Sequence, residues 1–510
     1  MNNEELEALR KKIELGGGAA AIDKQHAAGK LTARERVAAL LDKDSFEELD
    51  QFAVHQEHNF GMAGKDLPGD GVVTGTGTIN GRPVGIFAQD FTVMGGSLGL
   101  THARKITKMM DLAVKLGMPI IGINDSGGAR IQAGVDSQAG YGEIFMRNAL
   151  YSGVVPQLSV ILGPCAGGAA YSPSLTDLVF VVEGISKMFV TGPNVIKAVL
   201  GEDISQEDLG GAKTLAEISG NAHFYATDEK ACFDQIRKLL SYLPQNNRET
   251  PVLEKAKTPK KQKAIGSIIP TDTKRPYDVR DIIRAISDGS EFCEVHEMWA
   301  KNIVVGFGRI DGRSVGFVAN QPLYLAGVLD CDASNKASRF VMLCDTYNIP
   351  IVTLEDMPGC LPGVEQEHAG VIRNGAKMLY AYSVATVPKI TVILRKAYGG
   401  GYVAMNSKHL GADLVYSWPN AEIAVMGPEA AAKIIFKKEI AEAADQEAVL
   451  AEKVQEYANT VANPLVAAGK GYVDAIIAPE QTRDVLAKAL KLCANKQEER
   501  PKKKHGLPPA

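Results

Sequence analysis

The chain has 510 residues, which at about 150 residues per domain excludes one small fold. Apolar residues make up 45% and charged residues 23%, the balance of a soluble globular chain, which argues against both a largely disordered protein and a membrane protein. With 56 Lys and Arg against 60 Asp and Glu, net −4, there is no basic excess to suit nucleic acid or anionic lipid.

In chain order, the opening MNNEELEALRKKIEL mixes both charges and has no apolar core, so it reads as an amphipathic helix and not as a targeting peptide. Asn80-Gly81, inside GTINGRPVGIFAQD (77–90), marks a hairpin with a type I′ turn. GTGTIN (75–80) runs into that hairpin, not into a helix, and is ordinary strand. The amphipathic HARKITKMMDLAVKLG (102–117) predicts a helix, and the wholly apolar PIIGIN (119–124) predicts a strand covered on both faces. No charge occurs between Arg147 and Asp177, long enough for a membrane span. Its glycines and prolines split it instead into a buried strand, a glycine-rich turn and a new helix.

The same order returns in the second half. Asp311-Gly312 lies in GRIDGRSVGFVANQ (308–321), followed by the helix ASRFVMLCDTYN (337–348), the strand PIVTLE (350–355) and VPKITVILRKAYGGGY (387–402). The offset is 231 from Gly77/Gly308 through Asp125/Asp356 and 232 at Gly167/Gly399, so the chain is an internal duplication. Two domains are therefore expected, 1–250 and 277–510, joined by a Pro- and Lys-rich surface linker at 251–276. Beyond Pro428 an Ala-, Glu- and Lys-rich helical region runs to about Cys493, interrupted at 463–474, before a mobile tail.

Asn124-Asp125-Ser126-Gly127-Gly128 contains the D-S-G-G found around serine-protease nucleophiles. Here it ends a buried strand, and its counterpart Glu355-Asp356-Met357-Pro358-Gly359 has no Ser, so it reads as a tight strand-to-helix turn. The paired turns Cys165-Ala166-Gly167-Gly168-Ala169 and Ala397-Tyr398-Gly399-Gly400-Gly401 carry more. Each follows a buried strand and opens a helix, where backbone N–H groups face a ligand beside the positive end of the helix dipole, the arrangement that binds a developing oxyanion. The nine histidines and the carboxylates show no metal-ligand spacing, and the seven cysteines are scattered singly, which suits a reducing compartment.

With GKLTARERVAALLD (29–42), AQDFTVMGGSLG (88–99), NDSGGARIQAGVDSQAGYGEIF (124–145), GPCAGGAAYSPSLTD (163–177), FVTGPNVIK (189–197), EDLGGAK (207–213), RKAYGGGYVAMNSKHLGAD (395–413) and AEIAVMGP (421–428), the chain resembles the carboxyltransferase (β) subunit of biotin-dependent acyl-CoA carboxylases. That family includes propionyl-CoA carboxylase, the transcarboxylase large component and the methylmalonyl-CoA decarboxylase α subunit. The resemblance implies an α/β fold of two tandem crotonase-like domains, acyl-CoA held by the first half of one subunit and biotin by the second half of a partner, in a cytoplasmic homohexamer. It implies one oxyanion hole at Gly167 and Gly168 with Ala169 adjoining, and a second at Gly400 and Gly401, where the family usually shows Gly-Ala. Gly127, Gly128, Ala166 and Tyr402 are expected to line the substrate, and Val403 matches a position that tunes the acyl pocket, where propionyl-CoA carboxylases commonly carry Asp.

No A-M-K-M biotinylation sequence occurs, so biotin is expected on a separate carrier protein or domain, with no metal. The implied activity is carboxyl transfer between carboxybiotin and the α-carbon of a short-chain acyl-CoA, propionyl- or methylmalonyl-CoA, through an enolate. The sequence leaves the direction open: a carboxylase with a biotin carboxylase partner, or the α subunit of a sodium-pumping decarboxylase with membrane partners. A biotin-independent hydratase needs paired glutamates near the holes, for which no candidates appear, and an inactive scaffold should tolerate bulky replacement of the glycines.

Overall fold

Both hairpin turns take the left-handed backbone that a type I′ turn demands, with φ of 50° and 75° at Asn80-Gly81 and 51° and 76° at Asp311-Gly312. The computed structural model describes every residue except 261–263, 274 and 510. It contains two units, Met1–Glu249 and Thr250–Ala510.

In the first unit, helix α1 (Asn3–Glu14) starts at a capping box between Asn2 and Glu5 and buries no residue, while α2 (Ala33–Leu40), capped by Thr32 and Glu35, is largely buried. Strand β1 (Glu47–Leu49) and the hairpin strands β2 (Val72–Ile79) and β3 (Arg82–Gln89) are antiparallel. Helix α3 (Leu100–Leu116) ends at Gly117 in the left-handed conformation and feeds β4 (Ile120–Ser126), parallel to β3. Helix α4 (Val135–Tyr151) crosses to β5 (Gln157–Ala166), and α5 (Gly168–Ser174) leads to β6 (Leu178–Val182). The first half of β5 pairs with β6, but its last residues, Pro164–Ala166, pair instead with β7 (Lys187–Phe189). Strand β8 (Phe224–Ala226) completes the sheet, and α6 (Glu229–Tyr242) ends the unit. The uncharged stretch is thus β5 and α5, and no helix among the described residues is long and apolar enough to cross a membrane.

The second unit repeats this order. Helix α7 (Val279–Ile286) precedes β9 (Cys293–Val295), the hairpin β10 (Ile303–Ile310) and β11 (Arg313–Asn320), α8 (Cys331–Thr346), β12 (Ile351–Met357), α9 (Val371–Val384), β13 (Lys389–Tyr398) and α10 (Gly399–Ala404). Strands β14 (Leu414–Ser417), β15 (Glu422–Ala424) and β16 (Ala475–Ile476) follow, with β15 pairing the end of β13 as β7 pairs the end of β5. Between β15 and β16 lie the expected helices, and the stretch read as an interruption is itself helical at Pro464–Gly469, with Asn463 as its cap. Its core is one apolar face of the sheet, including Phe317, Val352, Leu354, Ile390 and Val392, packed under α7 and under α11 (Thr482–Leu492).

Of the stretch expected as a linker, 261–263 and 274 lie outside the described residues. The rest runs along the second unit: the Glu254 amide donates to the Gly312 carbonyl (3.0 Å), Glu254 pairs with Arg309 (2.6 Å), and Ile265, Ile268 and Ile269 pack on the core. Isoleucines spaced this irregularly show no period in the sequence, yet they bury apolar area.

Two charged devices recur in register. Lys105 and Lys336 are buried lysines that cap backbone carbonyls at the entrances to β2 and β10. Lys105 donates to Gly69 and Val72, while Lys336 donates to His296 (2.9 Å), Trp299 (2.8 Å) and Ile303 (2.8 Å). Burial lowers their pKa values to about 8 and about 7.

The second device is the pair Asp125 and Asp356. The ladders β4–β5 and β12–β13, between the second and third strands of each parallel run, skip register there, so that one residue faces three on the neighbour. Both aspartates are buried. Asp125 is held by Arg36 (2.8 Å), Lys30 (2.7 Å) and Gln25 (3.1 Å), and Arg36 also forks onto Glu229 (2.9 Å) and the Leu162 carbonyl (2.7 Å). Asp356 is held by Arg395 Nε (2.9 Å), the Tyr277 hydroxyl (2.9 Å) and the Lys396 amide (3.2 Å).

Deleting one member of such a pair leaves an uncompensated buried charge. Arg36→Met and Arg395→Met are therefore each expected to lower unfolding free energy by about 3 to 5 kcal/mol in urea titrations, and adding Asp125→Asn to Arg36→Met should recover part of the loss.

Candidate functional site

The splitting of β5 between β6 and β7 leaves its last residues projecting past the parallel sheet, and the chain turns there. Gly167 has φ of +58°, and its amide donates to the Phe189 (3.2 Å) and Val190 (3.1 Å) carbonyls at the end of β7. α5 begins at once, so the Gly168 and Ala169 amides lie in a first turn whose N–H groups have no acceptor within the helix. The second unit repeats the turn with Gly399 at φ +59°, followed by Gly400 and Gly401 in α10. Structural register thus pairs Gly167 with Gly399, and Gly168-Ala169 with Gly400-Gly401.

What surrounds each turn differs. A Cβ at Gly168 would meet the Tyr141 ring at 2.7 Å, so glycine is required by the aromatic side chain of α4 beneath it, which stacks on Phe145 at 5.8 Å between centroids. At Gly401 a Cβ would meet Met357 at 2.2 Å, whereas at Gly400 it would meet nothing within 4 Å. Gly400 therefore faces open space, and Val403, one helical turn on and half-buried, shares its face.

The loop after β4 reaches the first turn. Gly128 has φ of +96°, and a Cβ there would come within 3.0 Å of the Ala166 carbonyl. Gly127 donates to the Gly95 carbonyl (2.9 Å). Ser126 is fully buried; its hydroxyl donates to the Gly96 carbonyl (2.6 Å) and accepts from the Gly128 amide (3.1 Å). That hydroxyl is a loop brace. A cavity of about 560 Å³ opens beside the turn, lined by Pro164, Ala166, Phe189 and the start of the helix Pro193–Leu200. Ligands of parallel α/β sheets bind at such carboxyl ends of strands. A second cavity of about 590 Å³ includes Pro350 and Pro388, which immediately precede β12 and β13, and so lies at the opposite end of its sheet from the second turn.

The carboxyl transferase domain family matches residues 24–508. The chain belongs to that family. It is 56% identical to a putative propionyl-CoA carboxylase beta chain of Bacillus subtilis, over 98% of this chain and 97% of that one. It is 55% identical to the methylmalonyl-CoA decarboxylase subunit alpha of Veillonella parvula, over 99% and 98%. The crystal structure of transcarboxylase 12S, a hexamer solved with methylmalonyl-coenzyme A and methylmalonic acid bound, superposes with a TM-score of 0.97 at 53% identity, covering 99% of this chain and 98% of that one. The two similar α/β units are those expected of tandem crotonase-like domains.

The structure brings Gly127, Gly128, Ala166, Gly167, Gly168 and Ala169 together at the first turn. Gly400, Gly401 and Val403 gather at the second. Tyr402, expected to line the substrate, turns its hydroxyl into the interior while its ring edges against His409 (6.1 Å between centroids). Sequence reasoning missed Gly399 as the left-handed pivot, although the repeat offset pairs it with Gly167. It also missed Tyr141 and Met357, which buttress the turns from beneath and carry no motif. Among the described residues no group of histidines, cysteines and carboxylates is arranged to hold a metal ion.

Gly401→Ala is expected to destabilise the protein by about 1 to 3 kcal/mol through overpacking against Met357. Combining it with Met357→Ser, the pairing that Ala169 and Ser126 show in the first unit, should restore part of that loss in thermal unfolding.

Proposed function

We propose that the protein transfers a carboxyl group between carboxybiotin and the α-carbon of propionyl-CoA or methylmalonyl-CoA, with the acyl-CoA at the first glycine turn and biotin at the second. The observation that carries this reading is the duplicated strand–glycine–helix turn in a chain that matches carboxyl transferases end to end. Biotin, carried on a separate protein or domain, supplies the activated carboxyl group. The open side of Gly400 fits a flat ureido ring, since a ligand atom can occupy the space that a Cβ would take.

In the first unit the Gly168 and Ala169 amides face the thioester oxygen and stabilise it as negative charge develops on forming the enolate. Backbone donors fixed by Tyr141 beneath and by the Gly167 hydrogen bonds do not have to reorganise as that charge appears. In the second unit the Gly400 and Gly401 amides would hold the ureido oxygen of biotin. The cavity beside Ala166 is the natural berth for the coenzyme A portion. The relative with bound methylmalonyl-coenzyme A is hexameric, and the exposed apolar residues Val135, Leu150, Val364 and Ile372 favour self-association here too. Similarity to both a carboxylase and a decarboxylase subunit leaves one half-reaction that serves either direction.

Purified protein given methylmalonyl-CoA and free biotin should form carboxybiotin without ATP or added metal, measured with a labelled carboxyl group. Gly400→Val should fold as the wild type does, because its Cβ points into open space, yet lose about 100-fold or more in turnover, whereas Ser126→Ala should lose about 1 kcal/mol of stability and keep its turnover. Loss of activity on Ser126→Ala with an active Gly400→Val protein overturns the mechanism.

Val403 bears on acyl choice. Its isopropyl group accepts a small alkyl substituent, offers no hydrogen bond and makes burial of a second carboxylate costly. One methylene is worth only about 1 to 3 kcal/mol, so short saturated acyl groups should be distinguished modestly and a glutaryl-type ester disfavoured. Comparing kcat/KM for acetyl-, propionyl-, butyryl- and glutaryl-type CoA esters in wild type and Val403→Asp tests this: the ranking should change in the variant.

A further inference from the structure

Behind the second glycine turn the duplication broke its own pattern. Asn124 in the first unit satisfies its side-chain amide on the Gly122 carbonyl (2.9 Å). Its counterpart is Glu355, fully buried, with neither carboxyl oxygen hydrogen-bonded to any protein group. Strand alternation puts Glu355 on the face of β12 that carries Thr353, whose hydroxyl meets Tyr382 of α9 at 2.9 Å. Thr353 pairs across the ladder with Thr391, which bonds both the carbonyl (2.7 Å) and the side-chain amide (2.9 Å) of Asn406.

Around this face the Tyr402 hydroxyl, the Asn406 side-chain oxygen and the Ser407 hydroxyl are also enclosed and unpartnered. The corresponding positions of the first unit are Ala170, Ser174, whose hydroxyl donates to the Ala170 carbonyl (3.1 Å), and Leu175, so none of these three strands a polar group, and the enclosed hydroxyl under the first turn is that of Tyr141 alone, with no carboxyl beside it. Buried polar groups are nearly always partnered, by ordered water where protein does not serve, and a carboxyl left bare is costly.

Among the described residues no cation lies within ion-pair distance of Glu355. The titratable groups whose charge reaches it are Asp356, the next residue on its strand, Tyr382 from α9 and Tyr402 from α10. All are neutral or negative. Desolvation first, then the Asp356 charge, push the Glu355 carboxyl well above its ordinary value of 4.5.

We propose that Glu355 is a positioning residue for the second glycine turn, joined through internal water to the Tyr402 hydroxyl and so fixing the short helix that presents Gly400 and Val403. As a carboxylic acid it both donates and accepts in that bridge, which a glutamine can imitate and a leucine cannot. The kinetic part of this inference rests on the reading of the second turn as the biotin side.

The test uses the full chain with Glu355→Gln, Glu355→Leu and Tyr402→Phe. A high-resolution crystal structure of the wild type should show ordered water within hydrogen-bond reach of both Glu355 and Tyr402. Amide hydrogen exchange across residues 398–407 should rise about tenfold in Glu355→Leu and Tyr402→Phe, as expected for losing one buried hydrogen bond, and stay unchanged in Glu355→Gln. In the carboxyl transfer assay the same two variants should raise the KM for free biotin about tenfold, and Glu355→Gln should match the wild type.

Because the folded-state pKa is raised, the wild type should lose stability relative to Glu355→Gln as pH climbs above 4.5, and the two should converge below it. A dry contact between the two side chains, exchange unchanged in Glu355→Leu, or Gln behaving no better than Leu overturns the proposal. An unchanged KM for free biotin in Glu355→Leu also overturns it. If the wild type transfers nothing to biotin, it is the functional reading that fails, while the water, exchange and pH results still decide the role of Glu355.

Discussion

Each unit depends on neutralising one carboxylate that the sheet buries. Where the ladder between its central parallel strands slips, an aspartate is forced inward at the point from which the glycine turns depart, and an unpaired charge there is prohibitive. The two units solve this differently. In the second, the strand opposite supplies its own cation, Arg395, and its own amide, Lys396. In the first, the equivalent positions are Gly163, where a Cβ would collide with Asp125 at 1.8 Å, and Pro164, which has no amide hydrogen to give. The cation is imported instead from the preceding helical segment, as Arg36 and Lys30. That is why α2 buries an arginine, Arg36, beside Ala33, Val37 and Leu40, and why Glu229 of α6 is drawn in to balance it.

The glycine turns then inherit rigid foundations built by exchange of volume. Beneath the first turn the strand residue is small, Ser126, and the bulk comes from Tyr141 on a helix. Beneath the second the strand residue itself is bulky, Met357. Both arrangements press a glycine, Gly168 or Gly401, against solid packing beneath the first turn of a helix. On the proposed reading, the donors at these turns are in place before charge develops, which is where backbone amides in a dry setting are most effective.

Much of this was legible in the sequence. The duplication, the type I′ hairpins, the buried strands and the glycine turns all follow from local rules: turn residues need particular φ values, doubly covered strands lose their polar alternation, and repeats preserve register. The setting aside of Ser126 as a nucleophile also came from its missing counterpart in the repeat, and the buried brace it forms agrees. Membership of the family likewise rests on contiguous motifs.

What only the tertiary structure decided involves residues far apart in the chain. Arg36 meets Asp125 across 89 positions, and Tyr277 meets Asp356 across 79. Tyr141 lies under Gly168, Tyr402 points inward while Val403 faces the open side, and the apparent linker packs onto the second core. None of these leaves a periodic or spaced signature, because a contact made through folding is fixed by the mutual fit of volumes and charges and not by neighbours in sequence. Glu355 shows the limit most plainly: in the sequence it is one more acidic residue at a strand end, and only enclosure on every side makes it a carboxyl group in need of a partner.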